Sequence, residues 1–158
     1  QVQWWASEDG RARAKADGET VAPSREAFFA TSDIVSVHVR LKPATRGIIT
    51  ANDLAMMAPR ALFVNTSRAE LVAPGALEAI IAQGTLHAAV DVFDQEPLRD
   101  VTHPLLTHPN VLATPHIGYV TEDEFQLQFS DIFDQVNAYA NGAPIHMVNP
   151  AAWPPAHA

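Results

Sequence analysis

Short apolar runs, the first of them β-branched, recur along this chain, each separated from the next by a stretch long enough for a helix. Residues 34–39, 61–65, 87–93 and 111–114 are such runs. Intervals of that length exceed a hairpin turn and suit the crossover that joins parallel strands. Between the runs, residues 9–16, 24–29, 50–57 and 75–83 have helical patterns. Glycines 18 and 84 stand where the first and last of these should stop. Ser24 is placed to N-cap the second, with Glu26 in its first turn. Residues 2–6 and 20–22 read as two further strands. The longest helix is expected over residues 122–140, where Phe125, Phe129, Ile132, Phe133 and Val136 recur at helical spacing and Gly142 follows. Alternation of this kind predicts an α/β fold, a doubly wound parallel sheet with helices on both faces. Residues 34–39 read as a strand of the fully buried kind.

The 158 residues suit one domain. Its body is expected over residues 1–142, with residues 143–158 as a carboxyl-terminal segment and loose tail. A net charge of −8, with basic residues scattered rather than clustered, argues against nucleic acid as the partner. No apolar run approaches the roughly 20 residues that span a bilayer, and no secretory leader pattern is present. The absence of cysteine excludes disulfides and thiolate metal sites, and no metal site is expected. A cytoplasmic location is the default.

In an open parallel sheet, ligands bind beyond the carboxyl ends of the strands, and the chemistry of this sequence collects there. Asn65-Thr66-Ser67-Arg68 follows the second main run. Asp91 interrupts the third, with Glu96-Pro97 beyond it. Thr114-Pro115-His116-Ile117-Gly118 follows the fourth. One cation, two carboxylates and one imidazole therefore share one sheet edge. Oxidation of a 2-hydroxy acid needs a base for the hydroxyl proton, and the reverse reaction needs that group as an acid. A histidine serves both directions near neutral pH. Glu96 is the natural carboxylate to favour the imidazolium of His116 and fix its tautomer. Arg68 offers a permanently charged, bidentate donor to a substrate carboxylate. Asp91, inside an apolar run, requires a partner, and a cofactor carboxamide would serve. Taken singly, each has a plain reading: Arg68 as a surface cation, Glu96 as a turn residue, His116 as a structural histidine. His103 and His108 read as solvated loop or helix-end positions. The conjunction carries the functional reading.

The segments Asp33-Ile34-Val35-Ser36-Val37-His38, Ala44-Thr45-Arg46-Gly47, Val64-Asn65-Thr66-Ser67-Arg68, Ala88-Ala89-Val90-Asp91-Val92-Phe93-Asp94-Gln95-Glu96-Pro97, His103-Pro104-Leu105 and Thr114-Pro115-His116-Ile117-Gly118 resemble the D-isomer-specific 2-hydroxyacid dehydrogenases in order and spacing, across residues 2–150. The resemblance implies a Rossmann-type NAD(P)-binding domain and an oxidoreductase interconverting a D-2-hydroxy acid and a 2-keto acid. It implies that Arg68 binds the substrate carboxylate, that His116 is the acid/base and that Glu96 supports it. Asp91 would face the nicotinamide carboxamide, while Val39, Thr66 and Ser67 would line the cofactor with His116 and Gly118. It also suggests a homodimer. Glu96 before Pro97 differs from the formate dehydrogenases of this superfamily, which look different there. Ala69 and Ala73-Pro74 depart from the pattern of many members, which leaves subgroup and substrate open.

No G-x-G-x-x-G occurs among the seven glycines, and the chain begins at Gln1 rather than Met. The expectation is therefore a Rossmann-like sheet truncated at its N-terminus, lacking the first, central strand and the helix end that holds a pyrophosphate. Such a chain alone is expected to bind cofactor poorly and turn over little. The adenine ribose would fall near Ser7, where Glu8 and Asp9 disfavour a 2′-phosphate and Arg11 and Arg13 would attract one. NAD is favoured, with NADP as the alternative. Two other readings are a non-catalytic dinucleotide-sensing corepressor and an inactive remnant.

Overall fold

The structure is a computed structural model that describes residues 1–153. Its contacts group Gln1–Gly118 as one compact unit and Tyr119–Ala158 as another, so the division precedes the long helix.

In the first unit, helices α1 (Glu8–Ala16) and α2 (Arg25–Thr31) precede a sheet of β1 (Ile34–Ser36), β2 (Leu62–Asn65), β3 (His87–Val90) and β4 (Val111–Ala113). Helices α3 (Ala51–Met56), α4 (Ala76–Ala82) and α5 (Pro104–Thr107) lie in the crossovers. The sheet order is β1-β2-β3-β4 and every pairing is parallel. This is the expected Rossmann-like α/β arrangement.

Local chemistry sets the helix ends. The Ser24 hydroxyl accepts from the Ala27 amide at 3.1 Å, the cap anticipated for α2. Thr50 and Asp53 cap α3 reciprocally, hydroxyl to amide and carboxylate to amide. Gly84 follows α4 at a φ of 70°, a left-handed conformation that glycine adopts without a Cβ penalty. Helix α5 was not anticipated. It is one turn long, starts at a proline, and His103 Nδ1 accepts from the Leu105 amide at its start.

Side chains on one face of the sheet make the core. Val35, Val37, Phe63, Ala88 and Val90 pack with Phe29 of α2, Leu54 of α3, and Leu77, Ile80 and Ile81 of α4. Phe63 is completely buried, which contributes roughly 1.5–3 kcal/mol. Between the helices, the Arg25 guanidinium grips both oxygens of buried Asp53 at 2.7 Å and donates to the Ile48 carbonyl.

Three strand expectations need correction. Residues 34–39 do not form a strand buried on both sides: Val35 and Val37 are buried, while Ile34 is 61% exposed. β1 is an edge strand with β2 as its sheet partner, so burial alternates with the pleat. Residues 2–6 and 20–22 form a single bridge, Trp4 with Val21, outside the four-stranded sheet. The hydrogen bonds Trp4 N to Thr20 O and Ala22 N to Trp4 O define it. The third strand ends at Val90 rather than residue 93, because the chain turns as Asp91 engages the loop after β4.

In the second unit, helix α6 (Glu122–Ala140) is capped by Thr121, whose hydroxyl accepts from the Glu124 amide at 3.1 Å. Glu122, Asp123 and Glu124 fill its first turn, where negative charge complements the helix dipole. Pro150–Ala152 make a 3-10 turn, and the Tyr139 ring meets Trp153 edge-on at 5.4 Å. The remaining tail, residues 154–158, lies outside the described residues.

Candidate active site

Parallel pairing brings the carboxyl ends of β1 to β4 to one edge, and the loops leaving them carry the site. After β1 and β2, the Ser67 hydroxyl donates to the Val39 carbonyl at 3.2 Å and ties two loops together. Asn65, buried at the end of β2, shapes the turn that follows. Its side chain accepts from the Ser67 amide and donates to the Arg68 carbonyl, both at 3.0 Å. Thr66 and Arg68 are exposed on that turn, and Arg68 Nη1 donates to the Ser67 carbonyl at 2.6 Å.

Glu96 lies in the loop after β3, where Oε1 accepts from the Phe93 amide at 2.9 Å. Its other oxygen, Oε2, accepts from His116 Nδ1 at 2.7 Å. Both side chains are about one-third accessible, 31% for His116 and 36% for Glu96. The hydrogen bond from His116 and then that from the Phe93 amide, helped by the charges of His116 and Arg68, hold the Glu96 carboxyl below its ordinary range against the opposing effect of burial. The three residues singled out as catalytic are thereby electrostatically linked.

Asp91 occupies the first position beyond β3 and is buried. Its Oδ1 accepts from the Thr114 hydroxyl at 2.5 Å and the Ile117 amide at 2.9 Å, and its Oδ2 accepts from the Gly118 amide at 2.7 Å. Burial alone would raise its pKa. The bonds from Thr114, Gly118 and Ile117, with the nearby His116 charge, outweigh that and keep it ionised below its ordinary value. A Cβ on Gly118 would sit 2.9 Å from Asp91 Oδ2, so a glycine is required for this approach. Thr114 is the residue that sequence reasoning did not single out. The register pairs Val90 with Ala113, so Asp91 and Thr114 stand opposite each other one step further on, a signal that only the strand alignment supplies.

Ser7 has a different local role: it N-caps α1, accepting from the Gly10 amide at 3.3 Å. Beside it the Arg11 guanidinium lies over the Trp5 ring at 4.3 Å. Among the described residues no group of His, Asp and Glu is arranged to hold a metal ion, and no helix is long and apolar enough to cross a membrane.

The donors and acceptors at this edge suit the nicotinamide end of a dinucleotide. A carboxylate has about four acceptor positions. Asp91 uses three, which leaves one for an amide N–H. The Gly-rich turn that would hold a pyrophosphate has no counterpart in the sequence.

Residues 1–118 match the family of D-isomer specific 2-hydroxyacid dehydrogenases, NAD binding domain. The chain is 37% identical over 112 residues to a D-3-phosphoglycerate dehydrogenase of Methanocaldococcus jannaschii, covering 70% of this chain and 21% of that protein. It is 37% identical over 129 residues to a glyoxylate/hydroxypyruvate reductase B of Cronobacter sakazakii, covering 80% and 40%. Among solved structures, a phosphoglycerate oxidoreductase from Vibrio cholerae superposes with a TM-score of 0.82 at 45% identity, covering 90% of this chain and 45% of that one. The chain thus spans less than half the length of each of these relatives. With the motifs, the parallel sheet and the match over residues 1–118 in agreement, the chain belongs to the D-isomer-specific 2-hydroxyacid dehydrogenases and carries sequence of their NAD-binding domain.

Proposed function

We propose that this chain bears the acid–base and carboxylate-binding groups of an enzyme that interconverts a D-2-hydroxy acid and its 2-keto acid. The observation that carries the reading is the His116–Glu96 pair at 2.7 Å, with the Arg68 charge felt at Glu96. In this reading Nδ1 is held by Glu96, and Nε2 takes the proton from the substrate hydroxyl as C2 loses hydride and the C=O bond forms. The same nitrogen returns the proton in the reduction. Glu96 stabilises the imidazolium in between. Arg68 binds the substrate carboxylate through its fork of N–H donors.

NAD, when bound, supplies the hydride acceptor. Asp91 would offer its remaining acceptor position to the carboxamide, and Val39, Thr66, Ser67 and Gly118 would line the site. Ser7 would lie by the adenine ribose, with Glu8 and Asp9 next to it favouring NAD over NADP. Homodimeric assembly and a cytoplasmic place belong to this proposal on family membership.

A hybrid tests it: residues 2–150 replace the matching segment of a phosphoglycerate dehydrogenase relative, which supplies the Gly-rich turn and the remaining domain. NADH oxidation with a panel of 2-keto acids is expected, and His116→Ala should lower its rate by orders of magnitude. A hybrid that binds NADH yet reduces none of them would sink the proposal.

A further inference from the structure

The proposed acid–base group sits on an unfavourable backbone. His116 has a φ of 57°, in the left-handed region that residues with a Cβ adopt at a cost. Something must hold it there. Its Glu96 contact does not suffice, because Glu96 stands in an exposed loop and holds the ring at Nδ1 rather than the backbone. The backbone is held from the other side. The Thr114 hydroxyl and the Ile117 and Gly118 amides, which bracket His116, all converge on the buried Asp91 carboxylate. The Thr114 amide is further anchored to the Val90 carbonyl at 2.9 Å, in line with the sheet.

We infer that Asp91 is a positioning residue for His116: through Thr114, Ile117 and Gly118 it locks residues 114–118 in the one turn that presents the imidazole to Glu96. This rests on the proposed acid–base role of His116, and it gives Asp91 a task that precedes any contact with cofactor. Three charge-assisted bonds to a buried carboxylate exceed what one backbone residue in the left-handed region costs. Loss of any one bond leaves the turn able to relax, and the ring then leaves Glu96. The charged groups facing Glu96 are His116 and Arg68, and the charged group facing Asp91 is His116.

The test is NMR on the 158-residue chain, and it needs no turnover. In the parent chain the His116 ring nitrogens should report a proton fixed on Nδ1 when the ring is neutral. The Glu96 side-chain carboxyl should titrate below an ordinary glutamate. Thr114→Val keeps shape and removes one donor, and Asp91→Asn replaces the acceptor. Both should let the ring sample either tautomer and return the Glu96 titration upward toward its ordinary range. Thr114→Ser, which keeps the hydroxyl, should behave as the parent. Folded Thr114→Val or Asp91→Asn chains with both signals unchanged would overturn the inference. So would collapse of the fold in Thr114→Val, which would assign Asp91 to stability alone. Failure of the hybrid to turn over would count against the enzyme reading and would leave these signals as they are.

Discussion

His116 Nδ1 and Glu96 Oε2 meet at 2.7 Å although their residues lie 20 positions apart and leave the sheet from neighbouring strands. The pairing orients the ring and gives the imidazolium a neighbouring anion. In the hybrid described above, His116→Ala should lower kcat about 10²–10⁴-fold. Glu96→Gln should cost less, since it keeps a hydrogen-bond acceptor for Nδ1 and loses the charge. Steady-state kinetics across pH distinguish the two: equal losses at every pH would contradict the electrostatic role given to Glu96.

Arg68→Lys tests carboxylate recognition in the same hybrid. An ammonium keeps the charge and loses the two-pronged geometry. Charged hydrogen bonds of this kind contribute about 1.5–3 kcal/mol, so kcat/KM for 2-keto acids should fall roughly ten- to hundred-fold. An unchanged kcat/KM would place the substrate carboxylate elsewhere.

The 158-residue chain itself should bind NADH weakly, because its sequence contains no G-x-G-x-x-G turn to receive a pyrophosphate. Tryptophan and NADH fluorescence should show no saturation in the low micromolar range. A saturable response there would mean that another arrangement, such as pairing between chains, completes the cofactor site.

Asp53 and Arg25 hold α2 against α3 through two contacts of 2.7 Å, with the Asp53 side chain almost fully buried. Asp53→Ala leaves the guanidinium and the α3 start without their partner and should destabilise the fold by on the order of 3 kcal/mol. Phe63→Ala, at a completely buried position, should cost roughly 3–5 kcal/mol. Urea denaturation measures both, and a loss below about 1 kcal/mol in either would contradict the packing described.

Stability should also fall on acidification. Burial opposes ionisation of Asp53 and Asp91, yet hydrogen bonds outweigh it, and Glu96 is held down chiefly by His116. All three carboxyls are therefore depressed in the folded chain. Their contribution is fully present above the unfolded values of roughly 4 and disappears as pH falls through the folded ones. Denaturation midpoints should hold near neutrality and drop below about pH 5. Asp53→Asn should start lower and slope less. A midpoint insensitive to acid would refute this.

Much of the first unit follows from periodicity and punctuation in the sequence. The run ending at Asn65, the cap at Ser24 and the stop at Gly84 are local effects, set by nearest neighbours along the chain and so readable from it. The joint presence of Arg68, Glu96 and His116 past strand ends was legible for the same reason, because parallel topology sends those ends to one edge. What only the tertiary structure decided depends on strand alignment and on which edges are covered. β1 alternates between buried and exposed because β2 is its partner in the sheet. Residues 2–6 form one bridge because Val21 is their pairing partner. Asp91 read as an acid inside a strand that needed some partner. The pairing of Val90 with Ala113 supplies it, setting Thr114 opposite and closing the turn around His116. Register is a relation between distant segments, and no local pattern in either one encodes it.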